Sequence, residues 1–132
     1  MSRKQSREKA VQLLFSLCFG AEIKTDLDMV TDEKPCERES AFINKLCAAV
    51  RDNLGEIDVL IEKHAHGFSL DRIFKIDLTA LRMAIGEISY MGETPAVVAV
   101  NEAVNIAKKY GTEKSAGYIN GILASVLKEG NA

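Results

Sequence analysis

Tryptophan is missing from this 132-residue chain, proline occurs only at positions 35 and 95, and histidine only at 64 and 66. So few prolines leave long helices unbroken. His64 and His66 stand two residues apart, about 200° from each other around a helix. No cysteine or carboxylate lies at ligand spacing beside either, so they do not share a metal. His64 instead extends an apolar stripe, which reads as a structural role. Cys18, Cys36 and Cys47 show no C-x-x-C spacing. Two of them fall on apolar helical stripes, the mark of buried reduced thiols rather than of a redox or metal centre. No apolar run approaches the roughly 18 residues needed to span a bilayer, and no signal-peptide core opens the chain, so a cytoplasmic protein is expected. A glycine-rich phosphate loop is lacking too, since Gly111, Gly117 and Gly121 are separated by helical sequence rather than following a strand. Carboxylates do not pair in an apolar setting that would serve acid/base work. No catalytic residue, metal or cofactor is expected, and the enzyme class loses its footing.

What remains is a helical protein. With 47% hydrophobic and 27% charged residues the chain is globular rather than disordered. Its length suits one compact domain, or two tightly packed sub-bundles sharing a core. A net charge of −2 does not announce a nucleic-acid partner, so any electrostatic argument rests on where the charges sit.

The periodicity is helical nearly throughout. Val11, Leu14, Phe15 and Cys18 follow the i, i+3, i+4, i+7 pattern, and Gly20 offers a stop. Residues 21–38 mix acids, lysines and Pro35 without an apolar period and read as a loop. Phe42, Ile43, Leu46, Cys47 and Val50 mark a second helix; Ile57, Leu60, Ile61 and His64 mark a third, ending near Gly67. Ser69 caps a short stretch holding Leu70 and Ile73. Asp77 reads as the N-cap of a longer helix carrying Leu81, Ala84, Ile85 and Ile88, which Gly92 ends. Thr94 then caps a fifth helix with Pro95 in its first position, where a missing N–H is harmless. Gly111 ends it, Thr112 caps a sixth, and Ile119, Leu123, Val126 and Leu127 give the last stripe. The expected fold is all-α, with six to seven helices in two packed three-helix bundles, about 1–66 and 69–129.

Three surface features survive. Ser2 and Gln5 form a capping box, yet Arg3, Lys4 and Arg7 crowd the positive end of the helix dipole. Arg3 and Arg7 continue the core stripe of Val11, Leu14 and Phe15 toward the N-terminus. Because cations avoid a core, this turn is expected to overhang the bundle. It is either a frayed solubilising end or a phosphate site, and its place on the apolar face favours the latter. In the last helix, Lys114, Gly117, Tyr118, Gly121 and Ser125 fall opposite the inward residues. Each glycine weakens a helix by roughly 1 kcal/mol relative to alanine, which the close approach of a helix or ligand would offset. Tyr118 is suited to stacking a splayed base, or is an ordinary surface tyrosine. Lys108 and Lys109 complement the dipole's negative end, and that alone explains them.

The run from Val100 through Asn-Glu-Ala-Val-Asn-Ile-Ala-Lys-Lys-Tyr-Gly-Thr-Glu-Lys-Ser-Ala-Gly-Tyr-Ile-Asn-Gly-Ile to Leu123 resembles the signature of the NusB family. Asp71-Arg72-Ile73, Asp77 and the stretch Leu81 to Ile88 resemble its central helices, and Ser6 to Phe15 its first helix. The resemblance spans the chain apart from the acidic loop. It implies an all-helical, non-enzymatic factor of transcription antitermination that binds single-stranded boxA RNA of ribosomal RNA leaders. It also implies a heterodimer with NusE, a small-subunit ribosomal protein, inside a complex on RNA polymerase. The RNA contacts it implies are Arg3, Lys4, Arg7 and Tyr118. Phe15 matches a further aromatic position but sits on the core stripe, which favours packing. Asp71 matches an acidic position that could read base edges, and Asp77 one near the NusE interface. Two departures stand out: the basic N-terminal cluster is thinner than in members with an unbroken arginine run, and Lys114 replaces an acid found in some members, which would strengthen nonspecific RNA binding. A purely protein-binding helical module, such as a homodimer masking its RNA face, is the alternative. An RNA-targeting domain of a cytosine methyltransferase ranks below both, for the 132 residues hold no methyl-donor domain.

Overall fold

The computed structural model describes residues 1–20 and 35–130. Most of the loop expected over 21–38 lies outside the described residues; its end does not, and Glu37 and Arg38 already belong to a helix. Six α-helices and no strand are found among the described residues: α1 (Arg3–Leu14), α2 (Glu37–Asp52), α3 (Leu54–His64), α4 (Lys75–Gly86), α5 (Ala96–Tyr110) and α6 (Ser115–Gly130). Short 3₁₀ turns cover Phe15–Phe19 and Leu70–Arg72. The end of α4 widens into a π-turn over Glu87–Met91, which Gly92 closes with a left-handed φ of 68°.

Helix α4 organises the molecule. From Asp77 to Glu87 every residue is buried, because the helix packs against α1, α2, α3, α5 and α6. Gly86 permits the α2 crossing: a Cβ there would lie 2.7 Å from Cγ2 of Val50. One core runs through both halves of the chain, with Leu14, Ile43, Leu46, Ile57, Ile61, Leu81, Ile85, Ile119 and Leu123 all fully enclosed. Each such side chain contributes roughly 1.5–3 kcal/mol relative to exposure. Cys47 is in that core, and burial pushes its thiol up to about 12; Cys18 is half-buried and Cys36 exposed.

Polar links tie the helices at fixed points. Arg7 on α1 forks onto Glu87, with Nε–Oε1 2.9 Å and Nη2–Oε2 2.6 Å. Arg82 on α4 forks onto Asp58 of α3 at 2.9 and 3.0 Å. His64 joins α3 to α6, its Nδ1 lying 2.7 Å from Oγ of Ser125 and its Nε2 meeting Glu129. His64 is thus structural, as its stripe position indicates.

Candidate nucleic-acid interface

The start of α4 departs from the sequence reading in a way that creates a site. Asp77 is not the N-cap. The helix begins at Lys75, Phe74 occupies the cap position without a side-chain hydrogen bond, and Asp77 faces inward from the first turn. Extended backbone at Ile73 and Phe74 brings the chain into the helix three residues earlier than the acid suggested. The Asp77 side chain therefore cannot cap; it is 5% exposed. Its Oδ1 has no hydrogen-bond partner among the described residues. Burial holds the Asp77 carboxyl above the usual range, opposed only by a hydrogen bond from the Ser115 hydroxyl.

Above Asp77 opens a cleft of about 210 Å³, walled by Phe68, Arg72, Phe74, Lys114 and Tyr118. Phe68 and Phe74 are about half exposed, so their rings are open to a ligand in the cleft. Tyr118 stands edge-on to Phe68, centroids 6.5 Å apart and planes at 88°. Burial, and then the Asp77 charge, raise the Tyr118 hydroxyl's pKa above its ordinary value. Lys114 is exposed and pairs with none of the described carboxylates. Beyond Tyr118, Gly117 and Gly121 are exposed, and a Cβ on either would meet nothing within 4 Å. No neighbouring helix takes up their bare backbone.

A second apolar groove, about 190 Å³, follows on the α1 side, lined by Val11, Phe15, Ile76 and Tyr110. Phe15 is half-buried and stacks edge-on with the exposed Phe19 at 5.3 Å, so it both packs and shows a rim. Asp71 lies on the 3₁₀ turn outside the cleft. A hydrogen bond from the Ser69 hydroxyl holds its carboxyl below the usual range.

The basic first turn behaves differently. The capping box is present, with Ser2 Oγ accepting from the Gln5 N–H and Gln5 Oε1 from the Ser2 N–H. The expectation that Arg3, Lys4 and Arg7 together overhang the bundle needs correction. Arg7 is 5% exposed and engaged with the fully buried Glu87. A cation entered the core because a carboxylate met it there with fork-to-fork geometry. Arg7 offers no face to a phosphate in this arrangement. Arg3 is partly exposed; it bonds Glu39 through Nε and Nη2 and lies 3.9 Å over the Phe42 ring. Lys4 alone is exposed and without an ion-pair partner among the described residues. Lys109 pairs with Glu8 at 3.1 Å, and Lys108 is exposed.

The structure thus brings Asp77, Lys114 and Tyr118 together and holds the first turn apart from them. Glu87, the partner of Arg7, lies ten residues beyond Asp77 on α4, about 15 Å along a helix axis. Phe68, Arg72 and Phe74 escaped the sequence reading because they sit in the non-periodic stretch between α3 and α4. Two phenylalanines bracketing a turn after Gly67 were the available signal. No group of three His, Cys, Asp or Glu among the described residues could hold a metal, and no described helix is long and apolar enough to cross a membrane.

The NusB family model matches residues 4–128. The chain belongs to the NusB family. Transcription antitermination protein NusB of Agathobacter rectalis is 34% identical over 128 residues, covering 94% of this chain and 98% of that protein. Its counterpart from Listeria welshimeri is 36% identical over 129 residues, covering 98% of each. Among solved structures, T. maritima NusB superposes with a TM-score of 0.89 at 30% identity, covering 98% of this chain and 92% of that one. A structure of antitermination factors NusB and NusE in complex with double-stranded RNA matches with a TM-score of 0.85 at 26% identity, covering 96% of each chain. The NusB fold is all-helical, and that is the fold found here.

Proposed function

We propose that this protein is a transcription antitermination factor that binds single-stranded boxA RNA of ribosomal RNA leaders together with NusE, within a complex on RNA polymerase in the bacterial cytoplasm. It acts by binding, not by catalysis. The observation that carries the reading is the cleft at the start of α4, where a buried, unpartnered carboxylate oxygen underlies exposed aromatics. An unmet buried acceptor costs about 1–3 kcal/mol, and a base edge presenting an amino group would satisfy it. Tyr118 supplies the stacking plane, worth about 1–3 kcal/mol per base. Lys114 and Arg72 hold the adjoining phosphates. Asp77, which the family resemblance assigns to the NusE side, shares this cleft with the RNA residues. One surface therefore serves the RNA and the seam with NusE, and the Phe15–Ile76–Tyr110 groove extends it.

The test is fluorescence anisotropy with a boxA oligonucleotide and a scrambled control, with and without NusE, across a salt series. Preference for boxA that tightens with NusE is expected, and Tyr118→Ala should weaken it by about 1–3 kcal/mol while Tyr118→Phe retains it. Equal, feeble binding of both RNAs under every condition would overturn the reading and leave a helical protein-interaction module. Concentration-dependent mass in solution would identify that module as a homodimer.

A further inference from the structure

Gly20, Gly67 and Gly92 hold left-handed backbone, and a Cβ on Gly86 or Gly111 would strike Val50 or Ser115, so the fold demands glycine at these positions. It makes no such demand at Gly117 and Gly121. Both lie inside the regular helix α6 and outside the left-handed region, and a Cβ on either would meet nothing within 4 Å. Glycine is nonetheless among the weakest helix formers. The two glycines border the cleft, whose floor is the buried Asp77 carboxylate with its unpartnered Oδ1 and whose wall is Tyr118. We propose that the backbone bared between them reads the sugar of the RNA: the Gly117 carbonyl accepts the ribose 2′-hydroxyl of the nucleotide whose base stacks on Tyr118. The proposal rests on the RNA-binding reading above and makes the cleft selective for RNA over DNA.

The geometry follows from the helix. A helical side chain leans toward the N-terminus and covers the turn before its own Cα, so the residue at 121 is the one that would shield the carbonyl at 117. That carbonyl oxygen has two lone pairs. One accepts the Gly121 N–H within the helix; with no side chain at 121, the other is open. A ribose hydroxyl can donate to it without breaking the helix, and Gly117 clears the approach from the turn below. Tyr118 and Gly121 are i, i+3 neighbours, roughly 5–6 Å apart, so one nucleotide can stack on the ring and touch the backbone beside it. Asn120, also exposed, flanks the same carbonyl and adds an amide to the surroundings of the sugar.

A nucleotide strand suits this face better than a second helix does. The exposed residues in line with the glycines are Lys114, Asn120, Ala124 and Lys128, small, polar or cationic, without a large apolar side chain among them. Helices pack by setting ridges of side chains into grooves, and this face has no apolar ridge to set. Lys114 and Lys128 instead frame it with positive charge, which suits a phosphodiester. Gly55 supplies the control. It is exposed in the first turn of α3, a Cβ there would also meet nothing within 4 Å, and it stands at the opposite end of α3 from Phe68.

The test compares wild type, Gly121→Ala, Gly121→Leu and Gly55→Ala by thermal melting and by anisotropy with boxA RNA. The same RNA is also prepared with a single 2′-deoxy nucleotide at each position in turn, every base unchanged. Both alanine variants should melt higher than wild type, by roughly 2–5 °C at Gly121, because helix propensity improves. Gly121→Ala should nevertheless bind boxA RNA roughly three- to tenfold more weakly, the range of one hydrogen bond, and Gly121→Leu more weakly still. Gly55→Ala should bind as wild type does. In wild type one 2′-deoxy position should reproduce the loss, and in Gly121→Ala that same substitution should change nothing further. Unchanged RNA affinity in a Gly121→Ala protein that melts higher overturns the proposal and leaves the cleft reading standing. So does a wild type indifferent to every 2′-deoxy position. A Gly121→Ala protein that melts lower than wild type gives that glycine to the fold and equally overturns the proposal. If wild type binds no boxA RNA at all, both readings fall. If Gly121→Ala keeps its RNA affinity but loses NusE or self-association, the face is a helix contact and the proposal is overturned.

Discussion

The first turn of α1 and the first turn of α4 were expected to have opposite characters, and the folded protein exchanges them. In the α1 turn the charges are consumed: Arg7 by Glu87, Arg3 by Glu39 and Phe42. In the α4 turn the acid that read as a structural cap is buried, unpartnered at Oδ1 and roofed by aromatics. A charge is available for binding only if the fold leaves it unpaired. Pairing is set by residues distant in sequence, eighty positions away for Arg7 and Glu87.

The largest expected effect tests whether Arg7 is internal. Arg7→Met leaves Glu87 buried and uncompensated, and should lower unfolding free energy by about 3–5 kcal/mol in urea titrations. Adding Glu87→Leu should restore most of it, since an apolar pair of similar volume often replaces a buried ion pair without loss. A stable single variant that merely loses RNA affinity would break the comparison and return Arg7 to the RNA surface. Charge reversal at Arg7 reports folding rather than phosphate contact, so Lys4 is the clean probe of the α1 turn.

A smaller effect of opposite sign is expected at Asp77. Its carboxyl titrates above the ordinary carboxylate range because burial disfavours the charge. The unfolded chain therefore releases the proton first, and stability is lost as pH rises from the unfolded value of about 4 through the folded one. Asp77→Asn should be more stable than wild type at neutral pH and equal to it in acid, while binding boxA RNA less well. Thermal midpoints at pH 3.5 and 7.5 would check this, and a variant less stable than wild type at neutral pH would show that Oδ1 already has its partner.

The smallest effect concerns Glu39. Its carboxyl lies below the usual range, held there by the hydrogen bond from Arg3 and then by that from Ser6. A depressed carboxylate stabilises the fold above its unfolded pKa, and that contribution disappears as pH falls through the folded value. Glu39→Gln should therefore cost about 1 kcal/mol at neutral pH, discounted for the partial exposure of Arg3, and almost nothing at pH 2–3. A loss that persists undiminished in acid would assign the effect to packing instead of to charge.

Much of the fold was legible without coordinates, because a helix of this length declares itself through a local period. The apolar stripes at Leu46, Ile61, Leu81 and Leu123 all face the core, and Gly20, Gly92 and Gly111 end elements where their positions indicated. Local signals failed at boundaries. Glu37 and Arg38 extend α2 backward, Asp77 sits inside α4, and Pro95 holds the cap position that Thr94 was assigned. Helix ends are decided by a few competing hydrogen bonds, and one residue either way costs little.

The amino-acid sequence by itself determined an all-helical member of the NusB family and placed Tyr118 and Lys114 on an outward face, since periodicity and signature are both properties of neighbouring residues. Only the tertiary structure decided that Arg7 is sealed inside, that Phe68 and Phe74 wall a cleft over Asp77, and that Gly117 and Gly121 face open space. Those facts depend on which helices meet. Burial and pairing are long-range, and a carboxylate or a guanidinium acquires its role from the partner that the fold brings to it or withholds.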